Sequence, residues 1–362
     1  MHLASVFRAS ALAAGMLAAS FGTAFAEGDA VPRVSEPIVH ENLAIYFLHG
    51  PSRPGPTPLT LQEALERGTV KLHETSNVNQ LEIQNTGKDE VFVQAGDIVK
   101  GGRQDRTLMV SLILPARSGK IPIASFCVEQ GRWSARGKED ASTFATSSKS
   151  VPSREMKLAM KESVAAAPAA GTNPTQEPRG GGRVIGGYMS ETSTRQSKVW
   201  EGVRKAQEKL GRNLGGSVQS STSATSLELS LESDKLKQAS KAYADALAPA
   251  GENGDDIVGY VFAINGKISS ADVYPSNALF RKMWRKQLDA SITEAIGERN
   301  EASEPTPKIA DVEAFLAAAE KGIASERPLI ADAKLVTHDG DKVLFVETKR
   351  GMDFVHRNYL AK

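Results

Sequence analysis

The alternation of apolar and polar residues predicts mostly β structure between residues 40 and 133. Side chains on a half-buried strand point alternately to core and solvent, and several short runs follow that period of two. The predicted strands are Asn42–Leu48, Val70–Glu74, Gln80–Gln84, Glu90–Gln94, Arg106–Leu114 and Ile121–Glu129. A short helix over Leu61–Arg67 is predicted, with Thr60 as its N-cap and Glu63 three residues later. The turn residues Asn85-Thr86-Gly87-Lys88 predict that the strands on either side form a hairpin.

The second half of the chain combines helical apolar stripes with hairpin turns. Helices are predicted at Glu191–Leu210, at Ser233–Leu247, after the N-cap Ser276 and at Val312–Lys321. Asn265-Gly266 and Asp339-Gly340 each separate two alternating runs, which is typical of tight hairpins. Strands and helices without a repeated strand–helix alternation predict an α+β fold. We expect its N-terminal half to be β-rich with mostly antiparallel strands, and its C-terminal half to mix helices and hairpins.

A change in composition at about residues 134–187 predicts an interruption of this domain. The stretch is first rich in serine and threonine and then dominated by alanine, proline and glycine, which is typical of linkers. Lys157–Val164 is the one piece within it that has a helical pattern. We therefore expect one domain over residues 40–360, interrupted by a mobile stretch.

The first 26 residues have the pattern of a secretory signal peptide. Arg8 lies in a short basic end, Ala9–Phe21 is small and apolar, and Ala24-Phe25-Ala26 has small residues where a signal peptidase cleaves. The apolar run is shorter than the roughly 20 residues that a membrane-spanning helix needs. The sequence predicts cleavage after Ala26, export to the periplasm or medium, and a flexible segment over residues 27–39.

Charge and cysteine content narrow the classes of function. Removal of the predicted signal peptide takes away Arg8 and no acidic residue, so the formal net charge falls from +1 to zero. A balanced charge argues against a nonspecific nucleic-acid binder, and no later run is long and apolar enough to predict a membrane anchor. The single cysteine cannot form an intramolecular disulfide, and the scattered histidines show no metal-ligand spacing.

The first candidate for chemistry is the stretch from Ala95 to Arg106. Its glycines Gly101 and Gly102 allow backbone N–H groups to approach a ligand closely, and Arg106 is suited to bind a carboxylate or phosphate bidentately. Gln104 and Asp105 lie between them. A tight turn with a solvated, charged rim explains the same residues.

The second candidate is the stretch from Cys127 to Trp133. Alternation along a strand places Cys127 and Glu129 on one face, and a neighbouring carboxylate weakens a thiol as a nucleophile. We therefore interpret Cys127 as a buried structural thiol. Glu129 is the better catalytic candidate, as a general base or as the ion-pair partner of Arg106 or Arg132. Two later residues are weaker candidates: Tyr274 is expected to face a groove, and His356 is interpreted as a satisfied histidine.

Taken in order, these motifs resemble a known family. The Gly-Gly-x-Gln-Asp-Arg element at residues 101–106 and the Cys-x-Glu-x-x-Arg-Trp element at residues 127–133 are its most specific parts. The chain resembles the ARG and rhodanese-phosphatase-superfamily-associated protein domain over about residues 40–360. The family is named for ADP-ribosylglycohydrolase neighbours, which implies an association with ADP-ribose or NAD-derived metabolism and supplies no established reaction.

The resemblance implies a site at which six side chains converge. They are Gln104, Asp105, Arg106, Glu129, Arg132 and Trp133. In the first hypothesis the chain is an exported enzyme for a phosphorylated or ribosylated small molecule. Arg106 and Arg132 then hold the anion at a solvent-reachable hollow, and Glu129 or Asp105 transfers protons with a pKa raised by burial. In the second, it is a non-catalytic binding or interaction domain. The motifs identify no cofactor and no oligomeric state.

Overall fold

A computed structural model of the 362-residue chain describes residues 32–165, 192–299, 302–330 and 332–362. The predicted signal peptide and the alanine-, proline- and glycine-rich residues 166–187 therefore lie outside the described residues. The described residues form strands and helices in a mixed arrangement whose sheets are mostly antiparallel. The predicted α+β class is confirmed, including a β-rich N-terminal half.

Strands dominate the first half of the chain. They are β1 (Arg33–Val34), β2 (Ile38–His40), β3 (Leu43–His49), β4 (Leu59–Thr60), β5 (Val70–Asn77), β6 (Gln80–Asn85), β7 (Val91–Val93), β8 (Asp97–Gly101), β9 (Arg106–Leu108), β10 (Leu112–Leu114), β11 (Gly119–Cys127) and β12 (Phe144–Ser150). The described helices here are α1 (Leu61–Glu66) and α2 (Arg154–Ala165). Helix α1 has the predicted capping box, in which the Thr60 hydroxyl accepts from the Glu63 N–H and the Glu63 carboxylate accepts from the Thr60 N–H.

Helices and hairpins alternate in the second half. The elements are α3 (Thr192–Asn213), α4 (Leu227–Leu231), α5 (Asp234–Glu252), β13 (Ile257–Ile264), β14 (Lys267–Val273), α6 (Asn277–Gly297), α7 (Ile309–Ala318), β15 (Ile323–Pro328), β16 (Ala333–Asp339), β17 (Val343–Arg350) and β18 (Asp353–Ala361). A 3₁₀ turn at Ala319–Lys321 follows α7. The hairpins predicted at Asn265-Gly266 and Asp339-Gly340 are confirmed as β13–β14 and β16–β17.

A nine-stranded sheet joins the two halves of the chain. Its order is β1-β3-β13-β14-β18-β17-β16-β15, with β2 also paired to β3. Strand β3 shows how both faces are covered: Leu43, Ile45 and Phe47 face the main core, which contains residues of α6. The alternate residues of β3 face a second cluster that contains Val312 of α7. This two-sided burial explains why Asn42–Leu48 is uniformly apolar.

Two smaller sheets complete the fold. The six-stranded sheet has the order β12-β8-β9-β11-β6-β5, and the three-stranded sheet has the order β10-β7-β4. Strand β11 is shared between partners: its first part pairs with β6, and its last residues Ser125–Cys127 pair with β9. Both candidate motifs therefore come together where β9 begins and β11 ends.

Two predictions of strand pairing are wrong. The chain turns at residues 85–88, but β6 pairs with β5 and β11, whereas β7 pairs with β10 and β4. The Asn85 side chain holds the turn by donating to the carbonyls of Asp89 and Pro115, which leads the chain into another sheet. The predicted strand Arg106–Leu114 is two strands, β9 and β10, in different sheets. The residues of a turn reverse the direction of the chain, but they do not determine which strand pairs with which.

The predicted linker and flexible segment also need correction. Residues 144–150 form β12, which pairs with β8, so the linker interpretation is wrong for this segment. The helical piece predicted at Lys157–Val164 lies in α2, which packs against α3. The flexible N-terminal segment is wrong for β1 and β2, because both pair with β3. Very short or polar strands have little apolar periodicity, and their structure depends on the sheet edge that they join.

Candidate functional site

The two glycines of the first motif allow close packing at the end of β8. Gly101 and Gly102 have φ values of +115° and +54°. A Cβ at Gly102 would lie 2.3 Å from the Phe144 ring, so glycine is required by close approach as well as by φ. The Gly101 N–H donates to Asp105 Oδ1 at 2.9 Å, and the Gly102 N–H donates to the Thr143 carbonyl at 2.9 Å. The sequence offered both N–H groups to a ligand, but the Gly101 N–H is used within the turn and the Gly102 N–H binds the residue before β12.

Two carboxylates and two guanidinium groups form what we call the arginine–carboxylate cluster: Asp105, Glu129, Arg132 and Arg136. Arg132 Nη2 lies 2.7 Å from Glu129 Oε2 and 3.6 Å from Asp105 Oδ1. Arg136 binds both oxygens of Asp105, at 2.8 and 3.2 Å, and its Nη1 lies 3.7 Å from Glu129 Oε1. Neither carboxylate side chain is exposed. Each carboxylate therefore lies within 4 Å of both guanidinium groups.

Hydroxyl and backbone donors occupy other positions around these carboxylates. Ser226 Oγ donates to Asp105 Oδ2 at 2.9 Å, Ser223 Oγ donates to Glu129 Oε1, and the Asp105 N–H donates to Glu129 Oε2 at 3.1 Å. Burial acts to raise the pKa of Glu129, but hydrogen bonds from Arg132 and Ser223 outweigh it and lower that pKa. The expected rise is therefore wrong for Glu129, because its charged form is solvated by protein donors.

A third arginine forms a separate ion pair beside the cluster. Arg106 is fully buried; its Nη2 lies 3.2 Å from Glu74 Oε2, and its Nη1 donates to the Gln104 carbonyl at 2.9 Å. Trp133 lies over this pair, with its ring 5.7 Å from Arg106 Cζ and 5.3 Å from Arg103 Cζ. The Trp133 residue is 41% exposed, so it forms the outer wall of an otherwise buried network.

The single thiol is a structural group. Cys127 is fully buried, and its Sγ lies 2.9 Å from Gln104 Oε1. Burial raises the pKa of the Cys127 thiol to about 12, which leaves it protonated at neutral pH. Gln196 of α3 binds the Cys127 backbone through both atoms of its amide, at 2.9 Å each. The structure supports the interpretation of Cys127 as a buried thiol.

The structure brings together the six residues that the resemblance implied. Gln104 Nε2 donates to the Glu129 carbonyl at 2.8 Å, and the contacts above connect Asp105, Arg106, Arg132 and Trp133 to the same network. Arg136, Ser223 and Ser226 were missed. Arg136 follows the second motif by three residues, inside the segment interpreted as a linker, and the serines lie about 95 residues further along the chain. Of these three residues, only Arg136 could have been found from the sequence, because it alone lies close to a motif.

Two guanidinium donors in this network have no acceptor. The Nε atoms of Arg106 and Arg132 are buried, and neither has a hydrogen-bond partner among the described residues. Buried donors without partners are rare because an unmade hydrogen bond costs about 1–3 kcal/mol. These are the positions where the network has capacity to bind an additional acceptor.

Two kinds of feature are absent from the residues that the structure describes. No group of three or more histidine, cysteine, aspartate or glutamate side chains in these ranges is arranged to hold a metal ion. Over the same part of the chain, no helix is both long and apolar enough to cross a membrane.

Comparison with known proteins assigns the chain to a family. No curated protein and no solved structure matches it significantly. A family model does match, over residues 32–359, which is nearly the whole chain. The match includes both arginine-bearing motifs and the strands that bring them together. The chain belongs to the ARG and Rhodanese-Phosphatase-superfamily-associated Protein domain family.

Proposed function

We propose that this protein is a binding domain for an anionic small molecule, phosphorylated or ribosylated, at the surface formed by Arg132 and Trp133. The observation that carries the proposal is the pair of buried, unpartnered Nε donors on Arg106 and Arg132. A phosphate or carboxylate oxygen is the strongest acceptor for a guanidinium N–H. The Arg132 side chain is 11% exposed, so part of this side chain is open to solvent.

Each residue of the network has a role in this proposal. Arg132 and Arg106 supply charge-assisted donors, and the exposed face of Trp133 supplies a flat wall for a ribose or a base. Asp105 and Glu129 orient the guanidinium groups, with Gly101, Gly102 and Gln104 fixing the turn and strand that hold them. Proton transfer by Glu129 or Asp105 is the alternative hypothesis, and the lowered pKa of Glu129 makes it a carboxylate at neutral pH.

A binding assay with single substitutions tests the proposal. Thermal shift and calorimetry are measured with inorganic phosphate, ribose 5-phosphate and ADP-ribose. We expect at least one ligand to stabilise the protein, and Trp133→Ala to weaken its affinity about tenfold because an aromatic contact is lost. Arg204→Gln is the matched control, since the Arg204 side chain is 58% exposed and distant in sequence. Wild-type protein that shows no shift with any of the three anions contradicts the proposal.

Proton transfer is tested separately from binding. Glu129→Gln keeps the size of the side chain and removes its charge. If Glu129 acts as a base, the variant binds the same ligand and loses turnover. If it only orients Arg132, the variant loses affinity and thermal stability together. Turnover that remains unchanged in Glu129→Gln excludes the catalytic role of this residue.

We also propose that the chain is exported and cleaved after Ala26. The support is the pattern of residues 1–26 described above. Expression of the full chain in a bacterial host, followed by N-terminal sequencing of the periplasmic fraction, is expected to give Glu27 as the first residue. Recovery of the uncleaved chain from the cytoplasm contradicts this proposal.

A further inference from the structure

One arginine beside the first motif has no role in the network described above. Arg103 lies between Gly102 and Gln104 and is half-buried. Its backbone N–H donates to Glu74 Oε2 at 3.4 Å, but its guanidinium group makes no hydrogen bond or ion pair with any residue that the structure describes. None of the guanidinium nitrogens is enclosed by protein, so the charge of Arg103 reaches solvent.

The two arginines with unpartnered Nε donors are already occupied at their terminal nitrogens. Arg106 uses both of these nitrogens, one on a backbone carbonyl and one on Glu74. Arg132 uses both of its own on backbone carbonyls and on Glu129. Each of the two therefore has a single N–H group left for a ligand. Of these three arginines, Arg103 is the one with the fork of parallel N–H groups that binds two oxygens of one phosphate.

The aromatic side chain beside Arg103 is open to solvent. The Arg103 Cζ atom lies 5.3 Å from the centre of the Trp133 ring, and Trp133 is 41% exposed. Tyr274 is the other aromatic residue that was expected to face a groove, and this expectation is wrong. It is fully buried, because it packs against Phe280 and the His356 ring. Trp133 is therefore the aromatic surface that lies next to a free guanidinium group.

Contacts of the backbone and of the side chain hold Arg103 in place before any ligand binds. The preceding Gly102 has a φ of +54°, and its N–H donates to the Thr143 carbonyl at 2.9 Å. The Arg103 N–H is bound to Glu74, and the guanidinium group lies against the Trp133 ring in a cation–π contact. A side chain that is already ordered loses less conformational entropy on binding. The pair thus has the character of a prepared recognition surface.

We propose that Arg103 and Trp133 recognise a nucleoside monophosphate, whose phosphate binds the Arg103 guanidinium group and whose base stacks on the open part of the Trp133 ring. This inference rests on the proposed function, which it narrows to anions that carry a planar base. One free guanidinium fork matches one phosphate group. An exposed indole favours a base over a ribose, because stacking buries two flat apolar faces. The ribose of the nucleotide connects the two contacts.

Ligands that each contain part of the nucleotide test the inference. AMP, adenosine and ribose 5-phosphate are titrated into the wild-type protein, and their dissociation constants are measured by calorimetry. We expect AMP to bind at least tenfold more tightly than ribose 5-phosphate, which lacks the base. AMP should also bind at least tenfold more tightly than adenosine, which lacks the phosphate.

The outcomes separate this inference from the proposed function. Ribose 5-phosphate that binds as tightly as AMP overturns the inference and leaves the proposed function intact. Binding of ADP-ribose without binding of AMP does the same. If inorganic phosphate, ribose 5-phosphate, ADP-ribose and AMP all fail to bind, both proposals are contradicted.

Two substitutions separate the phosphate contact from the base contact. Arg103→Gln is expected to weaken the binding of AMP about tenfold and to leave adenosine unchanged, because it removes the charge-assisted donors. Trp133→Ala should weaken AMP and adenosine about tenfold each, and ribose 5-phosphate by a smaller factor. Arg204→Gln, at a side chain that is 58% exposed, is the control and should change none of the three. Equal losses for AMP and adenosine in Arg103→Gln overturn the phosphate contact.

A stability measurement distinguishes binding from a structural role of Arg103. Because its guanidinium group makes no hydrogen bond in the described ranges, Arg103→Gln should change the melting temperature of the unliganded protein by less than about 2 °C. The same variant should lose most of the stabilisation that AMP gives to the wild-type protein. A melting temperature that falls well beyond this limit, with AMP still bound as in the wild type, makes Arg103 a structural residue and overturns the inference.

Tryptophan fluorescence locates the base. The chain has three tryptophans, and Trp284 is fully buried. AMP is expected to quench the wild-type emission by stacking on Trp133. Trp133→Phe keeps an aromatic ring and should bind AMP without this quenching, whereas the control Trp200→Phe should retain it. Quenching that persists in Trp133→Phe places the base elsewhere and overturns the inference.

Discussion

The arginine–carboxylate cluster and a second group are both buried polar networks, and they differ in how their charges are paired. The second group, which we call the Lys161 centre, consists of Lys161, Asp272, His356, Asn358 and Tyr260. In the cluster, Asp105 is bound by Arg136, Ser226 and the Gly101 N–H. In the Lys161 centre, the Lys161 amine donates to the neutral side-chain amide of Asn358, and His356 Nε2 lies 3.0 Å from Asp272 Oδ1. A fully paired carboxylate stabilises a junction, whereas a buried amine bound to a neutral amide has less compensation for its charge.

The two networks also differ in how their residues are distributed along the chain. The stretches with the most suggestive residues, 101–106 and 127–136, form a junction in which the carboxylates have no exposed surface. The residues of the Lys161 centre come from four separate elements, α2, β13, β14 and β18, and belong to no local motif. Substitutions in and beside each network test whether pairing is what separates the two.

The largest loss of stability is expected from removal of the Asp105 carboxylate. Asp105→Ala leaves the Arg136 guanidinium and the Gly101 N–H without their acceptor in the core, so the free energy of unfolding should fall by about 4 kcal/mol. Urea denaturation measures the change. Asp234→Ala, at a side chain that is 90% exposed, is the control and should cost less than about 0.5 kcal/mol. A loss below about 1 kcal/mol for Asp105→Ala would mean that water replaces the carboxylate easily.

Glu228 is a carboxyl group beside the cluster, and its hydrogen bond comes from a serine instead of an arginine. Glu228 accepts from Ser147 Oγ at 2.8 Å, and burial raises its pKa from 4.5 to about 7. Because the folded protein binds this proton more tightly, the stability from Glu228 is present below pH 4.5 and is lost as the pH rises through 7. Relative to Glu228→Gln, wild-type stability should fall by up to about 3 kcal/mol across that range.

The measurement for Glu228 is the difference in free energy of unfolding between the two proteins at several pH values. A difference that stays constant between pH 4.5 and 7 would show that the folded protein solvates this carboxylate as well as water does.

Glu129 is expected to show the opposite dependence on pH. Its pKa is lowered from 4.5, so the stability that it contributes is present above pH 4.5 and is lost as the pH falls through the folded pKa. Glu129→Gln should cost about 2 kcal/mol at pH 7, because charge-assisted hydrogen bonds from Arg132 and Ser223 become neutral ones. The cost should shrink in acid, as measured by denaturation of both proteins at pH 7 and pH 3. An equal cost at both pH values would contradict the paired state of this carboxylate.

The smallest change in stability is expected from a substitution in the Lys161 centre. Lys161→Met replaces a poorly paired amine by an apolar side chain of similar length, and the free energy of unfolding at pH 7 should change by less than about 1 kcal/mol. Burial lowers the pKa of Lys161 to about 8. Between pH 8 and 10.5 the folded protein has released this proton and the unfolded chain has not, so wild-type stability should rise relative to the variant. Destabilisation of several kcal/mol at pH 7 would place Lys161 with the fully paired network instead.

The sequence predicted the elements better than their partners. Apolar period and turn residues identified the strands on either side of Asn265-Gly266 and the apolar face of α6, since both signals are local. The same reasoning failed for β6 and β7, where a turn leads from one sheet to another. Strand partners depend on which edges are free in the folded protein, and that information is not local.

For the candidate site, too, the sequence identified the residues better than their partners. The motifs identified Asp105, Glu129 and Arg132, and the resemblance implied that they converge, because residue type and spacing are visible in a sequence. Whether a carboxylate is paired depends on residues such as Ser226, which reaches Asp105 from 121 positions away.

By itself, the sequence determined the α+β class, the two arginine-bearing motifs and the burial of Cys127, because periodicity and residue chemistry act over short distances. Tertiary structure alone decided that Glu129 has a lowered pKa and that Lys161 lies beside Asn358 and two cavities. The physical reason is that solvation of a charge is set by everything within a few ångströms of it. In this protein, those neighbours come from distant parts of the chain.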